Sequence, residues 1–132
     1  MAKIVQAVRQ YGPKLRYGRM AELDEVVEWM SQRTGLNKGE VLLLLAELHE
    51  AILYFNRNGR GIKLPEIGIF SPGIDRHGVL RHHFRADVQL KKQMARRHEY
   101  YGDILHKSRI GWTDAQYKAF WDAAHPDDPL DV

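Results

Sequence analysis

The chain has 132 residues, 44% of them hydrophobic and none of them cysteine. That length supports one ordinary domain, or a small domain with extensions, and the composition excludes a disordered chain. The lack of cysteine excludes a disulfide framework, a thiolate metal site and a thiol nucleophile. No apolar run reaches the length of a membrane span, and residues 1–6 lack the core of a signal peptide, so a cytoplasmic location is expected. Formal net charge is +3 but is unevenly spread. Residues 1–56 hold seven basic and seven acidic side chains, residues 57–97 hold ten and three, and residues 98–132 hold three and seven. Such a basic cluster is the footprint of a polyanion partner, and equally that of a solvated Arg-rich sheet.

Residues 3–10, Lys-Ile-Val-Gln-Ala-Val-Arg-Gln, read as a short strand. Tyr11, Gly12 and Pro13 end it, and residues 11–20 read as a basic loop that carries Tyr11 and Tyr17. Residues 1–19 hold five basic side chains and no acid, as in an arm that touches DNA or an edge strand with a solvated connector. A helix is expected over 21–34, because Leu23, Val26, Val27 and Met30 fall at i, i+3, i+4, i+7. Glu22, Asp24 and Glu25 in its first turn suit the helix dipole, and Gly35 is a natural stop.

Asn37 with Glu40 three residues on is a capping-box pattern that opens a second helix over 38–57. Val41, Leu45, Leu48, Ile52 and Phe55 form one stripe. Leu42, Leu43, Leu44 and Ala46 widen it until the first half is apolar nearly all round. A helix of that kind is buried on several sides, and a domain this small has little of its own to cover it. A second copy is the simplest cover. A homodimer is therefore expected, with Val41, Leu44, Leu45, Leu48, Ile52, Phe55 and Phe70 in the interface.

Gly59 closes the helix, and three strands are expected at 61–64, 67–72 and 78–85, the last two joined by the turn Asp75-Arg76-His77-Gly78. A third helix over 86–97 ends in strongly basic residues. The remainder differs in character. Thr113 and Gln116 repeat the capping-box pattern, and Tyr117, Phe120, Trp121 and Ala124 then follow at helical spacing. A short amphipathic helix over 114–124 is expected, whose aromatics cover either the body of the protein or a partner. The acidic residues 127–131 are expected to fray. The chain thus divides into an N-terminal strand and basic loop (1–20), a central domain (21–97) and an aromatic, acidic extension (98–132).

Two DNA-binding schemes fit a helical hairpin followed by a sheet. In a winged helix-turn-helix, residues 33–41 would be the turn and 38–50 the recognition helix. That helix would present Val41, Leu42, Leu43, Leu44 and Leu45 to base edges, which need polar partners. The second scheme rests on the order of elements: helix, Thr-Gly-Leu turn, long helix, Gly, strand, Pro-x-x-Gly-x-Phe, hairpin, short helix. Here the stretch Ile62-Lys63-Leu64-Pro65-Glu66-Ile67-Gly68-Ile69-Phe70, with Phe84, Ala86 and Leu90 at fitting distances, resembles the HU/IHF group of bacterial DNA-binding proteins. The resemblance spans residues 21–95. It implies an α+β fold, an HU/IHF-like helical hairpin with a small antiparallel sheet and a short C-terminal helix. It also implies an intertwined homodimer whose two sheets form a saddle for double-stranded DNA, acting in the nucleoid.

The chain departs from that family in one respect that matters for mechanism. The link over residues 71–85 is too short for the family's long arms, and no Arg-Asn-Pro tip occurs, so intercalative kinking is not expected. DNA contacts are expected from Lys63, Arg76, Arg81, Arg85, Lys91, Lys92, Arg96 and Arg97, through sequence-tolerant phosphate neutralisation. One alternative is an HU-fold assembly module in which Trp112, Tyr117, Phe120 and Trp121 dock a protein partner. Another is an extension that folds over the saddle, so that acidic residues 122–131 compete with DNA.

His77, His82 and His83 lie near Asp75, but His82 and His83 point to opposite faces of a strand, so no metal site is expected. Ser71 and Ser108 lack a base. Gly59-Arg60-Gly61 is a helix stop rather than a phosphate cradle, and His125-Pro126-Asp127-Asp128 sits in a segment hard to preorganise. Neither enzymatic activity nor a cofactor is expected.

Overall fold

The structure, a computed structural model, describes residues 1–131. Strand Ala2–Lys3 (β1) leads into helix Ile4–Tyr11 (α1) and strand Lys14–Arg16 (β2). Helices Leu23–Thr34 (α2) and Lys38–Arg57 (α3) precede strands Ile62–Leu64 (β3), Gly68–Ile74 (β4) and Leu80–Ala86 (β5). Helix Val88–Met94 (α4), strand Asp103–Leu105 (β6), helix Asp114–Ala124 (α5) and strand Leu130–Asp131 (β7) complete the chain. These elements form two units: Met1–Met20 with the chain from Tyr101 onward, and Ala21–Tyr100.

In the central unit, local signals act as the sequence predicts. The Asn37 side chain accepts from the Glu40 N–H at 2.8 Å and starts α3, and Gly35 ends α2 in a left-handed conformation at φ 78°. Val27 and Val41 are the buried residues of α2 and α3. Val41, expected in a dimer interface, is 1% exposed within its own chain and has no surface to offer a partner. The sheet order is β3-β4-β5, antiparallel throughout. Asn56 on α3 donates to the Phe70 carbonyl at 3.2 Å and so fixes the long helix to the middle strand. The Asp87 carboxylate accepts from the Gln89 N–H at 2.9 Å and opens α4. That helix is shorter than the expected 86–97: it stops at Met94, and Arg97–Glu99 forms a separate 3-10 turn.

The terminal unit corrects three expectations. Residues 3–10 are mostly helix, not strand. Ile4, Ala7 and Tyr11 fall on one side of α1 and pack into the unit's core, with Ala7 wholly buried. The Gln6 side chain, which accepts from the Lys3 N–H at 2.6 Å, starts that helix. Residues 127–131 do not fray, because Leu130 is 1% exposed and β7 pairs in parallel with β1. Three bonds hold it there. Leu130 N–H donates to Asp122 at 2.8 Å, Lys118 donates to the Leu130 carbonyl at 2.9 Å, and Trp121 Nε1 donates to the Asp128 carbonyl at 2.7 Å. The loop read over 11–20 contains β2, which pairs antiparallel with β6, Lys14 opposite Leu105 and Arg16 opposite Asp103.

The aromatics of α5 pack within their own unit. Tyr117 and Trp121 are 5% exposed and form a core with Ala2, Ala7 and Leu130, with Trp112 packed against it. Tyr11 meets Phe120 edge-on at 4.8 Å. Gly12 is required beside them: a Cβ there would lie 2.4 Å from the Val8 carbonyl oxygen and 3.0 Å from the Tyr117 hydroxyl.

Candidate nucleic-acid interface

Alternation along the strands divides the central sheet into two chemically distinct faces. The register pairs Lys63 with Ile69 and Ile69 with Arg85, Ser71 with His83, and Gly73 with Arg81. One face therefore carries Lys63, Arg81, His83 and Arg85, flanking a middle row of Ile69, Ser71 and Gly73. The strand positions of this face include no carboxylate. The His83 ring lies across the glycine: a Cβ on Gly73 would sit 2.6 Å from His83 Nε2. The other face is apolar. Phe70 and Phe84 rings lie 4.8 Å apart, and His82 tilts over Phe70 at 5.7 Å. Beside that face, a cleft of about 600 Å³ has Leu53, Asn56, Pro72, Ile74 and Leu80 in its lining, together with Arg57, Arg81 and His82.

The hairpin tip orders one of the cations. The Asp75 carboxylate accepts from the Val79 N–H at 3.0 Å, the His77 N–H at 2.8 Å and Arg81 Nη2 at 3.2 Å. These bonds, that of Val79 foremost, hold its carboxyl below the usual carboxylate range. Asp75 thus offsets part of the Arg81 charge while it fixes the guanidinium's position. Arg76 is exposed at the tip, 3.3 Å from His77 Nε2.

Strand register brings Lys63, Arg81 and Arg85 together on one face. Lys91 and Lys92 sit in the last turn of α4, and Arg96 and Arg97 follow it, with Arg96 3.7 Å from Glu99. All four are exposed, but no strand register places them with the sheet cations. His83 joins the face between the two arginines, and the alternation Arg81-x-His83-x-Arg85 was the signal for it. His82 lies on the opposite face, and among the described residues no group of three or more His, Asp or Glu could hold a metal ion. No helix among them is long and apolar enough to cross a membrane.

The arrangement of helical hairpin, three-stranded antiparallel sheet and short closing helix is the α+β fold of the HU proteins, and this chain has that HU-like fold. The structure titled Anabaena HU-DNA cocrystal matches it at TM-score 0.50, covering 58% of this chain and 99% of its own, with 15% sequence identity. HU from Thermotoga maritima and a point variant of it cover 56% of this chain and 98% and 99% of theirs. Their TM-scores are 0.47 and 0.49 and their identities 19% and 20%. No family model matches the sequence, and no curated protein does. The fold also disposes of the winged-helix alternative, since α3 docks on the sheet through Asn56 and carries a leucine-rich first half rather than a polar reading face.

Proposed function

We propose that the chain acts as an HU-like homodimer that binds double-stranded DNA through its phosphate backbone, in a nucleoid or architectural role. The observation that carries this reading is the sheet face of Lys63, Arg81, His83 and Arg85, whose strand positions lack any carboxylate. Its middle row, Ile69, Ser71 and Gly73, adds no charge that would repel a phosphate backbone. Phosphate contacts of this kind position a duplex without reading its sequence. That the Anabaena protein of the same fold was crystallised with DNA agrees with it.

The homodimer is supported by apolar surface that one copy leaves uncovered. Leu43 and Leu44 on α3 are 62% and 58% exposed, and Leu48 is exposed as well. Leu45, Ile52, Phe55 and Phe70 are half-buried. Each such side chain contributes about 1.5–3 kcal/mol when fully buried, so a second copy is favoured. DNA bending is expected to be slight. The link between β4 and β5 is short, and Pro72 lies within β4 opposite His82, not at a tip where it could wedge between base pairs.

A titration against a duplex of about 30 base pairs at several salt concentrations tests the proposal, because each phosphate neutralised adds about 0.9 to the log–log slope. The expected result is strong salt dependence, with retention lost in the Arg81→Glu/Arg85→Glu variant. Binding that ignores both salt and the double variant would exclude this face as the site.

A further inference from the structure

The two-stranded ribbon of the terminal unit carries its own set of unpaired groups. Lys14 and Arg16 are two residues apart on β2, so their side chains share a face. Neither makes an ion pair among the described residues, although Asp103 stands opposite Arg16 in the register. Lys107, just past β6 at the Lys14 end, is exposed as well. At the other end, Tyr17 follows β2 directly and Tyr101 precedes β6 by two residues. The strands are antiparallel, so both rings hang from the same end. They are 85% and 93% exposed, and among the described residues neither meets another ring or a cation.

The ribbon is held firmly. His106 Nδ1 lies 3.0 Å from the Gly12 carbonyl oxygen, and Arg109 donates to the Tyr11 carbonyl at 2.8 Å while its guanidinium sits 4.4 Å from the Phe120 ring centre. His106 adopts a left-handed backbone at φ 57° to make its contact. Non-glycine residues take that conformation at a cost, and the surrounding bonds hold it in place.

We infer that the β2–β6 ribbon is a contact site for single-stranded nucleic acid, with Lys14, Arg16 and Lys107 on phosphates and Tyr17 and Tyr101 as stacking platforms for unpaired bases. Cations complement a polyanion of any kind, but free ring faces discriminate. In a duplex the bases stack on one another and offer them nothing, whereas an unpaired strand offers a π-face at every base. The inference concerns different residues from the sheet face and does not depend on it.

The test uses the full chain and a fluorescent oligothymidylate of about 20 nucleotides, within reach of the site sizes of small single-strand binders. Tyr17→Ala/Tyr101→Ala is expected to weaken that binding by on the order of 10-fold per ring, as base stacking on aromatics does elsewhere. Tyr17→Phe/Tyr101→Phe keeps the faces and is expected to retain it. Lys14→Glu/Arg16→Glu is expected to weaken it too, and more so at low salt. Because all four side chains are exposed, thermal melting should be unchanged in every variant. No binding of the oligothymidylate, unchanged affinity in the alanine variant, or an equal loss in the phenylalanine variant overturns the inference. Equal losses on duplex and oligothymidylate do so as well, since they assign the ribbon to phosphate contacts alone. The Arg81→Glu/Arg85→Glu variant on duplex DNA reports on the sheet face independently, so failure of one reading is distinguishable from failure of the other.

Discussion

The two units of this chain solve the problem of burial differently. The terminal unit gathers Ala2, Ala7, Tyr117, Trp121 and Leu130 into one core and binds its carboxylates to its own groups, Asp122 to Lys118 and Asp131 to Lys3. The central unit is the larger, yet its buried apolar side chains are Val27 and Val41, and it leaves Trp29, Leu43, Leu44, Leu80 and Phe84 more than half exposed. A small unit that buries little apolar surface is marginal in isolation. The lesson is that a terminal extension can be structurally complete within one copy while the domain between its two halves leaves much of its apolar surface uncovered. The acidic extension is engaged within its own unit, where Asp122 pairs with Lys118 and Asp131 with Lys3.

The largest test of this contrast is Trp121→Ala. It empties the centre of the terminal core and should cost about 3–5 kcal/mol. Chemical denaturation followed by far-UV circular dichroism should then show the terminal unit unfolding early and the central helices late. A single cooperative transition would mean that the two units are not independent. Next, Leu44→Glu places a charge on the surface assigned to the second copy. An unpaired charge in an apolar interface is costly enough to shift a dimer toward monomer by several kcal/mol. Sedimentation velocity should show that shift, with a melting temperature that no longer rises with protein concentration. A wild-type chain that sediments as a monomer would end the dimer proposal.

Two glycines offer a matched and smaller pair. A Cβ at Gly68 would lie 2.4 Å from the Arg85 carbonyl oxygen, and one at Gly12 would lie 2.4 Å from that of Val8. Gly68→Ala and Gly12→Ala should each cost about 1–3 kcal/mol through forced backbone shifts. Gly68→Ala should also weaken duplex binding by distorting β5, whereas Gly12→Ala should not.

The smallest expected effect is on acid stability. The Leu130 N–H foremost, and Lys118 after it, hold the Asp122 carboxyl below its ordinary value of 3.8. Its folded value is depressed, so its contribution is fully present above about pH 4 and is lost as pH falls through the lowered value. Melting temperatures from pH 7 downward should therefore fall on the acid side of that range, and Asp122→Asn should flatten the fall.

Much of the central unit was legible from sequence because its signals are local. Asn37 with Glu40 starts α3, Gly35 ends α2, and strand alternation sends His82 and His83 to opposite faces. The sequence also placed α5, since Thr113 accepts from Gln116 N–H and Gln116 accepts from Thr113 N–H. Residues 3–10 misled because a β-branched stretch before Gly-Pro resembles a strand, and only the burial of Ala7 against Tyr117 and Trp121 favours the helix. Val41 misled for a similar reason: its place in the stripe is local information, but the hairpin had already buried it.

By itself, then, the sequence determined the helical hairpin, the three strands of the sheet and the segregation of charge, since these follow from caps, glycines and periodicity within a few residues. The tertiary structure alone decided that the two ends of the chain form one unit. Two-residue strands such as β1 and β7 have no periodicity to read, and their pairing joins Ala2 to Leu130 across nearly the whole chain. The same long-range closure pairs β2 with β6 and so brings the exposed Tyr17 and Tyr101 to one end of the ribbon, which no local pattern announces.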